Sequence, residues 1–196
     1  MADRAQPGRG ASRRHIIAGA GRLTIGAAAL GIVAGCTTMA AVEPKRAAGA
    51  GRDDVALLNN VLGLEYEAVA AYDAALAGGA LAGKMAALAR AFQDDHAKHA
   101  AALARAVIRL QGNPVGARPA FDYSFSPAAL TDADDAMRFL VGFEQGLALA
   151  HLGAVPAFAD NALAKGAAGI LGVEAMHWSS LRSALGEAPV PAPFLG

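Results

Sequence analysis

The sequence predicts an all-α protein, a four-helix bundle of two antiparallel hairpins joined by one long crossover. Three observations carry that expectation. Hydrophobic residues make up 55% of the 196-residue chain and aromatics 6%, with alanine dominant and β-branched runs short, a composition that favours helix over sheet. Four stretches repeat apolar residues at three-and-four spacing, the period of one helix face. The connections between them are unequal, short within each pair and long between the pairs.

Ahead of the first helix stands an export address. Ser12-Arg13-Arg14-His15-Ile16-Ile17 precedes the apolar run LTIGAAALGIVAG (23–35) and then Cys36. A basic start, a short apolar stretch and small residues before a cleavage point make a signal peptide. The run is shorter than the roughly 20 apolar residues that a bilayer span needs. The SRRHII stretch resembles the twin-arginine motif, which suggests a folded cargo crossing the bacterial inner membrane. Val33-Ala34-Gly35-Cys36 resembles a lipobox, whose cysteine becomes the lipidated first residue of the mature chain. Together they imply a periplasmic, membrane-anchored lipoprotein; plain secretion with an incidental Cys36 is the alternative. Cys36 is the only cysteine, so the mature domain has no intramolecular disulfide and must be stabilised by packing. Residues 37–52 read as a flexible tether, 53–187 as the bundle and 188–196 as a Pro-rich tail.

The first helix starts near Asp53 and ends at Gly78-Gly79, with the stripe Leu58, Val61, Leu62, Glu65, Val69, Tyr72, Leu76. The second runs from about Leu81 to Gln111, with the stripe Leu81, Met85, Leu88, Phe92, His96, His99, Leu103, Val107, Leu110. A third opens with Thr131 as N-cap and Asp134 completing a capping box. Its stripe is Met137, Leu140, Val141, Glu144, Leu147, His151, Val155, and Pro156 kinks or ends it. The fourth covers Asn161 to Leu185, with the stripe Leu163, Ala167, Ile170, Glu174, His177, Leu181, Leu185. A connection of a few residues forces neighbouring helices into an antiparallel hairpin. The stretch 112–130, GNPVGARPAFDYSFSPAAL, has no helical period, and two hairpins joined by such a crossover describe the ferritin-like bundle rather than a simple up-and-down one.

Ionisable residues interrupt every apolar stripe: Glu65; His96 and His99; Glu144 and His151; Glu174 and His177. Their depths match. Glu65 and His96 lie about 15 residues either side of the first hairpin turn, as do Glu144 and Glu174 about the second, so at about 1.5 Å rise per residue they reach similar heights. Other charges fall off the stripes: Glu67 points away from Glu65, and Asp94 with Lys98 forms a solvated i,i+4 pair. Asp95 borders the stripe. Three carboxylates buried together are costly unless protons or a cation compensate them, and a metal ion is the simplest compensation. The plainer reading is a set of hydrogen-bonded core residues.

These residues in this order resemble the ferritin-like superfamily, most closely the exported, desiccation-related type of bacterial ferritin-like domain, over residues 53–196. AAGILGVEAMHWSSLRSALGEAPVPAPF (167–194) is similar to that family's last helix and tail, with Glu174-x-x-His177, an arginine at 182 and a Pro-Phe ending. Glu65 followed seven residues later by Tyr72 resembles the first-helix pattern. The resemblance implies Glu65 as a terminal ligand, His99 as the histidine of a second-helix Glu-x-x-His motif, and Glu144 as the third-helix carboxylate. Two positions depart from the pattern. His96 stands where the family places a bridging glutamate, and His151 where similar sequences have tyrosine. The implied set is Glu65, His96, His99, Glu144, Glu174 and His177, with His151 and Tyr72 as outer-shell partners or extra ligands. Exchanging a carboxylate for an imidazole moves the preference towards nitrogen-rich sites for Zn, Cu, Mn or a single Fe. Fe, Mn or Zn, as one or two ions, is therefore the expected cofactor.

Charge distribution narrows the partners. Five of the 17 basic residues but one of the 17 acidic ones fall in residues 1–35, which leaves 12 basic against 16 acidic residues in the remainder. No basic patch with interleaved aromatics is present, which argues against nucleic acid. The expected partners are a metal ion, the membrane through a lipid on Cys36, and further copies of the chain. Three functions fit: a metal-dependent oxidoreductase or peroxide-scavenging stress protein, a non-catalytic metal-binding envelope protein, and a metal-free structural bundle.

Overall fold

The computed structural model describes residues 50–119, 122, 123, 125, 130 and 132–195. The export motif, Cys36 and most of the tether lie outside them. Among the described residues there are four α-helices and no strand: α1 (Ala50–Ala77), α2 (Gly83–Arg109), α3 (Ala133–Ala154) and α4 (Asn161–Ala184).

The helix ends follow local chemistry. Beyond α1, Gly79 adopts φ 69° and donates its N–H to the Leu76 carbonyl at 3.3 Å. At the end of α2, Gln111 donates to Ile108 at 2.9 Å and Gly112 to Val107 at 3.0 Å, the closure that puts the intervening residue in the left-handed region. Gln111 sits there at φ 59°, where glycine is usual. The expected start of α3 needs correcting. Asp132, not Thr131, is the N-cap: its side chain accepts the Asp135 N–H at 2.8 Å, which puts Asp135 rather than Asp134 three residues after the cap. Thr131 itself lies outside the described residues. Asp and Thr offer similar capping oxygens, and neighbouring candidates cannot be ranked without the backbone. Helix α3 gives way to a 3-10 turn at Val155–Ala157, where Pro156 removes an N–H donor. Asp160 then caps α4 by accepting from Ala162 at 2.7 Å and Leu163 at 3.3 Å.

Helices α1 and α2 pack as an antiparallel pair, with Glu65 opposite His96 and Asp73 opposite Gln93. In α3 and α4, Glu144 faces His177. Helix α1 also runs against α3 in the opposite direction, since Glu65 meets His151 and Tyr72 meets Glu144. The core has two apolar clusters. One gathers Leu58, Leu62, Leu103, Val107, Leu163 and Ile170; the other gathers Tyr72, Leu81, Met137, Leu140 and Leu181. In sequence along each helix, the ionisable residues fall between the two, so a polar layer is held between apolar ones. Asp54, which the sequence pattern did not single out, is fully buried and accepts from the backbone N–H groups of Ala159 (2.8 Å) and Asp160 (3.2 Å). It ties the start of α1 to the turn before α4.

Candidate metal centre

Each helix delivers its ionisable residues to the layer because the 3.6-residue repeat puts them in register with the apolar stripe. Glu65, His96, Glu144, His151 and Glu174 have no exposed surface, and His177 has 3%. All four histidines among the described residues, His96, His99, His151 and His177, lie in this layer.

His96 is central. Its Nδ1 lies 3.0 Å from Glu65 Oε2 and its Nε2 3.0 Å from Glu144 Oε1. Both ring nitrogens therefore face carboxylates, an arrangement that suits the imidazolium. Burial opposes that charge, but the hydrogen bonds to Glu144 and Glu65 outweigh it and lift the pKa to about 10. Burial likewise works against charged Glu144, yet His177 and His96 draw its carboxyl down to about 2. For Glu65 the hydrogen bonds from His151 and His96, with the His99 imidazole nearby, overcome burial and hold the carboxyl well below its usual range. His99 and His177 are each raised to about 9, against burial, by Glu174 and Glu65 in the first case and by Glu144 and Glu174 in the second.

The remaining contacts are looser. His99 Nδ1 stands 3.0 Å from Glu174 Oε1 without the alignment of a hydrogen bond. His177 Nδ1 is 3.5 Å from Glu144 Oε1 and 3.6 Å from Glu174 Oε2. His151 donates its Nε2–H to Glu65 Oε1 at 2.9 Å, a contact with a carboxylate rather than with the other imidazoles. Tyr72 donates its hydroxyl to Glu144 Oε1, and burial, followed by the charge on Glu144, pushes the phenol pKa well above 10. Phe92 stacks on the His177 ring at 3.9 Å between centroids, which fixes that ring's plane. Its place in the stripe signalled burial but not this role. Asp95, which borders the stripe, stays at the edge of the layer: it is 41% exposed, pairs with Lys98 at 3.2 Å and approaches the outer nitrogen of His177 at 3.5 Å.

A family model described as ferritin-like domain matches residues 53–187. The chain belongs to the ferritin-like domain family. No curated protein sequence matches it.

Ferritin-like membership raises the question of whether these residues suit a metal ion. Six buried polar atoms of the layer have no hydrogen-bond partner: His99 Nδ1, Glu144 Oε2, His151 Nδ1, both oxygens of Glu174, and His177 Nδ1. Unpaired buried polar groups, donors or acceptors, cost roughly 1–3 kcal/mol each, and more when charged. Four residues, Glu65, His96, His99 and Glu174, bring ligand atoms within 4.8 Å of one another, and so do His96, Glu144, Glu174 and His177. Carboxylate oxygens and imidazole nitrogens in such groups are donors for divalent transition ions. The layer fits a metal.

Proposed function

We propose that this ferritin-like protein binds one or two transition-metal ions in the core of its bundle and uses them in an oxidoreductase or peroxide-related protective reaction in the cell envelope. The observation that carries the metal reading is the set of unpaired atoms on Glu174, His99 and His177, aimed at a point where four helices meet. Glu65, His96, His99, Glu144, Glu174 and His177 would be the ligands, with Tyr72 and His151 orienting Glu144 and Glu65 from outside. A bound ion would supply Lewis acidity or redox change towards oxygen or peroxide. The protein's own part is to exclude water between two apolar clusters and to hold the carboxylate orientation. The opposed directions of α1 and α3, and of α1 and α2, support the crossover topology for residues 110–132, and the resemblance over 167–194 supports the exported, desiccation-related type. Export by the twin-arginine route and lipid attachment at Cys36 rest on residues 12–17 and 33–36.

One observation favours a second reading, a metal-free or non-catalytic bundle. His96 already joins Glu65 to Glu144 and, as the imidazolium, supplies a cation from within. Elemental analysis of the full chain, purified from metal-replete cells, separates the two. One or two Fe, Mn or Zn per chain supports the metal reading; no metal, and none taken up on reconstitution, puts the structural bundle in its place. His96→Glu returns a carboxylate to the centre and is expected to raise iron occupancy relative to zinc.

A further inference from the structure

The core's ligand atoms divide into two groups, and His96 belongs to both. Its two ring nitrogens serve different groups. Nδ1 faces Glu65 Oε2 at 3.0 Å and Glu174 Oε2 at 3.7 Å, while Nε2 faces Glu144 Oε1 at 3.0 Å. The neighbouring imidazoles divide in the same way. His99 Nδ1 approaches Glu174 Oε1 (3.0 Å) and Glu65 Oε2 (3.6 Å), whereas His177 Nδ1 approaches Glu174 Oε2 (3.6 Å) and Glu144 Oε1 (3.5 Å). Glu174 turns Oε1 towards His99 and Oε2 towards His177, and Oε2 also faces His96 Nδ1. The result is two donor sets of the same composition, Glu65, Glu174, His99 and His96 on one side and Glu144, Glu174, His177 and His96 on the other, with His96 Nδ1 beside Glu65 in the first and Nε2 beside Glu144 in the second.

A single imidazole nitrogen has one lone pair and cannot serve two cations. A ring that presents each nitrogen to a different set can. We propose that His96 bridges two metal ions through Nδ1 and Nε2, making this core an imidazolate-bridged dinuclear centre in place of a carboxylate-bridged one. The inference rests on the metal-binding reading above. Each ion has two nitrogens and two carboxylate groups within reach, a donor set that suits zinc and copper(II) better than the oxygen-rich environment preferred by Mg or Mn. Loading displaces both ring protons, so His96 enters as the imidazolate and its negative charge takes the place of the missing carboxylate's. His99 and His177 rings lie 6.0 Å and 5.3 Å from the His96 ring and steeply inclined to it, at 85° and 73°. Tyr72 packs against the His96 ring at 5.3 Å, which leaves the bridging ring little freedom to turn.

Copper(II) titration of the metal-free full chain, followed by electron paramagnetic resonance, tests this directly. The first equivalent gives a normal copper signal. The second is expected to make that signal disappear, because the imidazolate couples the two spins, with saturation at two ions per chain. In His96→Ala the coupling is expected to be lost, so that every copper bound keeps its full signal; a circular dichroism spectrum checks that this variant remains helical. Saturation at one core ion overturns the bridge but leaves the metal reading intact. So do two wild-type coppers whose signal intensity matches their number, the pattern of uncoupled ions. Failure to bind copper at the core, together with failure to take up zinc, iron or manganese on reconstitution, overturns the metal reading itself.

Discussion

Without metal, the folded protein should lose stability steeply between pH 7 and pH 9, and the sign follows from the core. His96, raised to about 10, and His99 and His177, each raised to about 9, keep their protons in the folded chain. In the unfolded chain a histidine releases its proton near pH 6.5. A raised histidine pKa contributes stability that is complete below the unfolded value and disappears as pH rises through the folded one. Each proton retained only by the folded state lowers the unfolding free energy by about 1.4 kcal/mol per pH unit. The three imidazoles share three carboxylates and titrate as a unit, so between one and three retained protons give a slope of about −1.4 to −4 kcal/mol per unit. Against a total stability of roughly 5–15 kcal/mol, two pH units remove a large part of the fold's margin. On the acid side the carboxyls act in the opposite sense. Glu144 is lowered to about 2 and Glu65 further, so their contribution is present above 4.5 and is lost as pH falls towards 2. Stability of the metal-free protein should therefore peak between about pH 4.5 and 6.5. The assay is urea denaturation of the chelator-treated full chain at half-unit pH steps, followed by circular dichroism. Metal-loaded protein provides the contrast, since ligating imidazoles have given up the ring proton and the alkaline slope should flatten or reverse. A metal-free midpoint that stays level or rises from pH 7 to 9 would refute the protonated-core account.

Three substitutions test other parts of the structure. Asp54→Ala removes an acceptor shared by the N–H groups of Ala159 and Asp160; a loss of about 3 kcal/mol is expected, with faster hydrogen exchange at those two amides, and a change under about 1 kcal/mol would show the clamp to be dispensable. Gln111→Gly relieves a side chain held at φ 59°. Relief of left-handed strain outweighs the added freedom of the unfolded chain, so thermal unfolding should show a gain of about 0.5 kcal/mol. Tyr72→Phe takes one of two donors from Glu144 Oε1. It should cost the metal-free protein about 1–2 kcal/mol in urea and weaken metal binding roughly 10-fold, as loss of an orienting partner does elsewhere.

The sequence alone determined a good deal of this protein. Helix existence, order and inward faces were legible because apolar periodicity is a local property, carried by residues three and four apart. The same periodicity exposed Glu65, His96, His99, Glu144, His151, Glu174 and His177, since a charged side chain at a stripe position stands out without knowledge of its neighbours. Matching distances from the two hairpin turns placed Glu65, His96, Glu144 and Glu174 at one height. Three things were settled only in the tertiary structure. The α3 cap is Asp132 rather than Thr131, because equivalent oxygens compete for the same N–H groups and backbone position decides between them. Asp54 has its partners in a turn more than 100 residues away, beyond the reach of any local pattern. Most consequential is His96. From sequence it was an imidazole where a carboxylate was expected; in the fold, helices α1 and α3 bring a separate carboxylate to each ring nitrogen. Periodicity says which way a side chain points, and only the packing of other helices decides what it meets.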